Sequence, residues 1–215
     1  MTDSHSERLT SIAQESRIAL GDSFAAREKA LRLAREAIQN SANAIRAVHR
    51  NQMEEAMRLL ESAGEALRQI DEALDRHPNI YYAGFVEDAQ KEYAEANSTL
   101  AFVAGRPLPG PADLGMGHAA YLNGLAEAVG ELRRYVLDSL RRDDVSRCEE
   151  LLAVMDEVYT ILVTIDFPDA ITRGLRRTTD SVRGILERTR SDLTMALRQR
   201  SLERRIAAFE KKQLG

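Results

Sequence analysis

Apolar residues recur at spacings of three, four and seven through most of the chain, the period of a helix that buries one face. After Asp22 they fall at Phe24, Leu31, Ala34, Ile38, Ala42, Ile45 and Val48. Gly21-Asp22 reads as a break between a first helix (about 5–19) and this longer one, with Asp22 or Ser23 as its cap. The long helix ends near Asn51, and Asn51-Gln52-Met53-Glu54 reads as a variant capping box that opens the next. That third helix, about 52–76, carries Ala56, Leu59, Leu60, Ala63, Leu67, Ile70 and Leu74. His77-Pro78 stops it, since the residue before a proline avoids the helical region. A fourth helix, about 80–104, has the stripe Tyr82, Phe85, Val86, Ala89, Tyr93, Ala96, Leu100 and Val103. Gly105 to Ala112 holds three of the five prolines and is the one long loop. Helices over about 113–141 and about 145–165 follow. Phe167-Pro168-Asp169 breaks the chain again, and Pro168 suits the first turn of a seventh helix with Leu175, Thr178, Val182, Ile185, Leu186 and Leu193. A last helix, separate or continuous with the seventh, runs to about 212.

No strand pattern rises above this period, and no linker divides the chain into two cores. The expectation is a single all-α domain over 1–215 with about seven long helices: an N-terminal helix (1–21), a core (22–195) and a C-terminal helix or tail (196–215). Helices this long favour a bundle or an oligomer. Composition agrees. Hydrophobic residues make up 44% and charged residues 30%, which excludes a disordered chain. With 5% aromatics, no Trp, 12 Gly and 5 Pro there is too little turn and strand material for a sandwich or barrel. No run of 18 apolar residues predicts a membrane span, and Met1 to Arg8 lacks the apolar stretch of a signal peptide, so the default address is cytoplasmic. The single cysteine, Cys148, excludes a disulfide framework and a cysteine zinc site, and reads as a structural thiol. His5, His49, His77 and His118 are scattered, without an HxxxH pair.

Charge is uneven. Residues 171–215 carry 12 Arg/Lys against 5 Asp/Glu, whereas residues 1–170 carry 18 against 29. A basic C-terminal region on an acidic body fits contact with phosphates. Arg outnumbers Lys by 26 to 4, and the planar guanidinium binds two phosphate oxygens at once. GC-rich coding sequence would raise Arg in the same way. The basic candidates are Arg46, His49 and Arg50, spaced at three and four, and the run Arg173, Arg176, Arg177, Arg183, Arg188 and Arg190. Plainer readings are a cluster favoured by the dipole at a helix C-terminus for the first, and a solvated helix face for the second. No aromatic interleaves with these bases along the chain, so they argue for grip on a nucleic-acid backbone rather than for base readout.

No phosphate-binding loop, nucleophile elbow, HExxH or GxGxxG motif is present. What remains for chemistry is carboxylate pairs. Glu92 and Glu95 lie three apart, Glu127 and Glu131 four apart, each pair on one helix face. Four convergent carboxylates suit Mg²⁺ or Mn²⁺, hard cations that prefer oxygen ligands. A di-iron site would want Glu-x-x-His, and the third residue after Glu92 is Glu95. On a helical wheel Glu92 borders the apolar stripe of its helix and Glu95 lies further round. Glu127 and Glu131 lie opposite the stripe of Leu122, Leu125, Val129, Leu132 and Val136, which by itself predicts solvated side chains.

In chain order, Asn43-Ala-Ile-Arg-Ala-Val-His-Arg50, Tyr81-Tyr-Ala-Gly-Phe85, Glu92-Tyr-Ala-Glu-Ala96, Tyr121-Leu-Asn-Gly-Leu-Ala-Glu-Ala-Val-Gly-Glu-Leu-Arg-Arg134 and Phe167-Pro-Asp169 resemble the translin superfamily, above all its archaeal branch. The resemblance spans residues 25–195, approximately. It implies an all-helical protomer that assembles into a closed, hollow homo-octamer. It also implies one of two activities, single-stranded nucleic-acid binding or a Mg²⁺-dependent endoribonuclease. In the catalytic branch, acids on two adjacent helices face the chamber, and the matching positions here are Glu92, Glu95, Glu127 and Glu131. The resemblance therefore implies Mg²⁺ or Mn²⁺ held by these four, and single-stranded RNA as substrate with single-stranded DNA as a second ligand. On that reading the candidates for gripping phosphates are Arg46, His49, Arg50 and Arg134. A non-catalytic RNA or DNA binder is the alternative, and a scaffold built for assembly a third. Two departures stand out. Glu127 occupies a position where the catalytic branch often has Asp, and Ala83 to Asp88 carries no base where translin has a His/Arg cluster.

Overall fold

The computed structural model describes residues 2–213; Met1, Leu214 and Gly215, which the 1–215 domain reading takes in, lie outside them. The described residues are helical with no strand: α1 (Thr2–His49), α2 (Met53–Leu74), α3 (Pro78–Tyr81), α4 (Phe85–Ala104), α5 (His118–Arg141), α6 (Cys148–Leu162), α7 (Asp169–Thr172) and α8 (Leu175–Gln213). Six are long and two are single turns, which bears out the all-α expectation. No helix of the described residues is long and apolar enough to cross a membrane.

Several predicted boundaries shift, each for a physical reason. Gly21-Asp22 does not break the chain, and α1 runs through it. A lone helical glycine costs only about 1 kcal/mol relative to alanine, and no proline follows to stop the helix. Asn51 closes α1 rather than opening α2. It sits in the left-handed region (φ 60°), and the Gln52 N–H reaches back to the Ala47 carbonyl at 2.9 Å, the pattern of a helix-ending motif. Gln52 is the residue that precedes α2, and no side chain caps it. The fourth helix is interrupted: α3 is one turn, and Gly84 (φ 101°) separates it from α4. Tyr82 therefore leaves the predicted stripe and stands 73% exposed. The loop after α4 extends to Gly117, because Asp113 Oδ2 accepts the Gly110 N–H at 2.8 Å and holds a turn where the helix was expected. After α7, Arg173 and Gly174 both take positive φ, and α8 then continues unbroken to Gln213.

Buried positions run from Ala30 to Leu193. The main core gathers Val48, Leu60, Leu100, Leu125, Val129, Leu132, Val136, Leu151, Met155, Leu162, Leu175, Val182, Leu186 and Leu193. A smaller core joins Leu33, Leu67, Ile70, Leu74, Ile80 and Val86 where α1, α2 and α4 meet. Cys148 is buried in the larger core, and burial pushes its thiol pKa up, as befits a structural cysteine. Nothing between residues 5 and 29 is buried, and Phe24, placed on the core stripe by its spacing, is exposed. The last part of α8, from 194 to 212, likewise has no buried residue.

The α4/α5 pair decides the rest. Glu87 and Gln90 share a cleft with His118 to Ala120, Lys91 meets Glu127, and Gly124 lies against Lys91 and Glu95. Early residues of α4 thus meet early residues of α5, and the two helices run in the same direction. The loop between them must return the length of α4, about 30 Å at 1.5 Å per residue. Its course is pinned by Tyr121 Oη donating to the Pro109 carbonyl at 2.8 Å. The Arg147 guanidinium holds the end of α4, donating to the carbonyls of Phe102 and Val103. Asn123, buried on α5, donates to the carbonyls of Ala119 and Thr172 and accepts from Thr178 Oγ1, which ties α5 to α7 and α8.

Candidate metal centre

Of the four acids singled out from the sequence, Glu92, Glu95 and Glu127 come together where α4 and α5 touch, with Glu131 beside them. The contact depends on Gly124. A Cβ there would lie 2.4 Å from the Lys91 carbonyl oxygen, 2.7 Å from Ala94 Cβ and 2.9 Å from the Glu95 nitrogen. Only a hydrogen fits, so the α5 backbone approaches α4 directly, flanked by the buried alanines Ala94, Ala96, Ala126 and Ala128. Glu127 follows Gly124 by three residues and Glu131 by seven, so both project from near this contact line.

Three of the four acids converge. Glu92, Glu95 and Glu127 each present one carboxylate oxygen, and these oxygens lie within 4.8 Å of one another. Glu131 is engaged elsewhere: His49 Nε2 donates to its Oε2 at 2.5 Å, and Arg134 Nη1 lies 3.6 Å from the same oxygen. It still lies close enough to raise the proton affinity of Glu95. None of the four is fully solvated, which corrects the wheel. A single-helix wheel counts only the helix's own stripe, whereas α1 and α4 wall in the polar face of α5.

Crowding shows in the protonation equilibria. Glu95 is pushed up to about 8, first by burial and then by the charges of Glu92, Glu127 and Glu131, with Lys91 opposing. Glu92 is also raised, mainly by burial. Glu131 is held below the usual carboxylate range, because the His49 hydrogen bond outweighs burial and Arg134 adds to it. The site contains a cation that the sequence reading missed. Lys91 Nζ lies 2.9 Å from Glu127 Oε1 and 4.0 Å from Glu92 Oε1. Burial lowers the Lys91 pKa, but Glu127, Glu92 and Asp88 together leave it raised.

The donor set fits a divalent cation. It offers three clustered hard oxygens, a proton affinity at Glu95 raised by burial and by the neighbouring acids, and a lysine ammonium already drawn to the same acids. Glu92, Glu95 and Glu127 are the residues that would hold it, with Glu131 beside them.

The predicted phosphate-gripping residues divide. Arg46, Arg50 and Arg134 are exposed, with Arg46 donating to Asn43 Oδ1 at 2.6 Å. His49 is not a surface base. Its side chain is 6% exposed, it faces Glu131, and its Nδ1 is buried with no hydrogen-bond partner among the described residues. No local pattern signals this pairing, since the partner lies 82 positions away. We expect His49→Ala to destabilise the protein by about 2–3 kcal/mol, the usual cost of stranding a charged hydrogen-bond partner. Urea unfolding at neutral pH measures it. The loss should shrink in acid as Glu131, whose folded pKa is depressed, takes up its proton.

Of the C-terminal arginines, Arg183 pairs with Glu187 and Arg190 with Asp156, a solvated ion-pair face. Arg173 differs. It reaches Glu87 at 3.1 Å and lines a cleft with Tyr81, Tyr82, Gln90 and His118. A base and two aromatics are thus brought to the segment that lacks bases in sequence.

No family model matches the chain. An uncharacterized protein of Methanocaldococcus jannaschii, MJ0175, is 28% identical over 189 residues, 87% of this chain and 83% of the relative. Among solved structures, AfC3PO in complex with duplex RNA is 38% identical, with a TM-score of 0.82, covering 87% of this chain and 97% of that one. A crystal structure of AfC3PO is 36% identical with a TM-score of 0.79, over 87% and 98% of the two chains. The apo-NeC3PO structure, 19% identical with a TM-score of 0.73 over 87% and 96%, shares the fold. With parallel α4 and α5, facing acids and these relatives together, the chain belongs to the translin superfamily.

Proposed function

We propose that the chain is an endoribonuclease, dependent on Mg²⁺ or Mn²⁺, that cleaves single-stranded RNA inside a closed homo-oligomeric chamber. The observation that carries this reading is the cluster of Glu92, Glu95 and Glu127 between two parallel helices, with Glu131 alongside. When bound, the divalent cation supplies charge neutralisation at a phosphoryl oxygen and activates the attacking water or sugar hydroxyl. The protein's own groups do the rest. Glu92, Glu95 and Glu127 would hold the cation, with Glu95 releasing its proton to solvent. Glu131, kept ionised by His49, accepts the proton of the attacking group through the oxygen that His49 leaves open. Arg134, beside Glu131, and the exposed Arg46 and Arg50 supply phosphate contacts. The similar AfC3PO has been solved with duplex RNA, which supports RNA as the ligand class. Assembly, with an octamer as the expected number, is supported by the apolar side chains left uncovered on α1 (Leu9, Ile12, Ile18, Leu20, Phe24) and α8 (Leu202, Ile206, Phe209).

End-labelled single-stranded RNA with Mg²⁺, with and without EDTA, tests the reading. Cleavage is expected with the metal only, and not in Glu95→Ala. Cleavage that survives EDTA or Glu95→Ala would sink it. A second reading, a non-catalytic binder of RNA or single-stranded DNA, is favoured by one observation: Lys91 already neutralises two of the acids. It predicts salt-sensitive binding without cleavage, unchanged by Glu→Ala variants.

A further inference from the structure

We propose that Lys91 is the resident counter-ion of the carboxylate cluster and sets its cation affinity by competing with the divalent metal for the same oxygens. The inference rests on the metal-site reading above. The chain has four lysines against 26 arginines, and Lys29, Lys211 and Lys212 are all exposed. Lys91 alone among them is part-buried, with its side chain 28% exposed. Its ammonium reaches Glu127 at 2.9 Å and Glu92 at 4.0 Å, two of the three acids that form the cluster.

Its place is built in. The carbonyl oxygen of Lys91 is the atom that a Cβ at Gly124 would meet first in the close approach of α4 and α5, so the lysine backbone is clamped beside the acids. A lysine ammonium is a compact point charge with three donors and no acceptor. While charged it cannot be a metal ligand, and it satisfies the same lone pairs that a cation would take. A divalent ion entering the cluster must therefore displace it from Glu127 and Glu92.

Mn²⁺ binding to the full-length protein, followed by electron paramagnetic resonance and by calorimetry, tests this in wild type, Lys91→Met, Lys91→Gln and Lys91→Arg. Lys91→Met and Lys91→Gln should bind Mn²⁺ about tenfold more tightly, since a competing ion pair is gone. Lys91→Arg, which keeps the charge, should stay within about threefold of wild type. In EDTA the two neutral variants should melt below wild type, because Glu92 and Glu127 lose their counter-ion. Their melting temperature should then rise more on adding Mn²⁺ than that of wild type. Equal or weaker Mn²⁺ binding by both neutral variants, in a wild type that binds, overturns the inference and leaves the metal site standing. Binding by the neutral variants alone supports competition. Absence of binding in every variant overturns both the inference and the metal-site reading.

Discussion

Glu95→Gln should lower Mg²⁺-dependent RNA cleavage by at least about a hundredfold while making the metal-free protein more stable. The two effects have one origin. Glu95 is raised to about 8 by burial and by Glu92, Glu127 and Glu131. Its folded state therefore binds a proton more tightly than its unfolded state, which titrates near 4.5. Stability is fully present below about 4.5 and is lost as pH rises toward about 8, above which Glu95 is ionised in both states. Gln is neutral throughout and escapes this loss. The gain from Glu95→Gln should be absent near pH 4, grow through neutrality and level off above about 8, reaching a few kcal/mol. In a chain of this size that is a rise of roughly 5–10 °C in melting temperature. Adding Mg²⁺ or Mn²⁺ should stabilise wild type and leave the variant nearly unmoved. Thermal melts across pH in EDTA, repeated with metal, measure all of this. A variant that melts lower than wild type at pH 8 in EDTA would show that the acids do not strain the fold.

The second large effect is expected at a residue with no chemistry of its own. Gly124→Ala should destabilise the protein by about 1–3 kcal/mol or more and weaken Mn²⁺ binding, although no ligand is touched. Alanine is the better helix former by about 1 kcal/mol, so propensity alone predicts a gain. Packing wins because the new Cβ would fall 2.4 Å from the Lys91 carbonyl and 2.9 Å from the Glu95 nitrogen. Both are backbone atoms that cannot swing away. The helices must separate, and Glu127 moves off Glu92 and Glu95 as they do. Gly130→Ala is the control. Its Cβ would meet only Ile185 Cδ1, at 4.0 Å, so it should be neutral or mildly stabilising and leave Mn²⁺ affinity unchanged. Equal melting temperatures for the two variants would mean that the close approach does not govern the site.

Much of the fold is readable from spacing because a helix is a local object. The stripe from Leu31 to Val48, the stop at Pro78 and the stripe of α5 follow from residues within a turn or two of one another. Boundaries shift where a weak local signal meets a stronger competitor. Gly21 is one glycine among good helix formers, and Asn51 suits the end of one helix as well as the start of the next. The acids are legible as pairs on two helices, and their identity as a group comes from resemblance.

By itself, the sequence determined that the chain is a set of long helices and that each of two helices carries a pair of acids on one face. Tertiary structure alone decided that α4 and α5 lie parallel in a register that puts Glu92, Glu95 and Glu127 together, turns Glu131 toward His49 and seats Lys91 among the acids. The physical reason is range. Helical periodicity reports neighbours three and four residues apart, whereas Lys91 and Glu127 are 36 apart and His49 and Glu131 are 82 apart. Their proton affinities depend on those distances and on the water excluded when two backbones meet at Gly124.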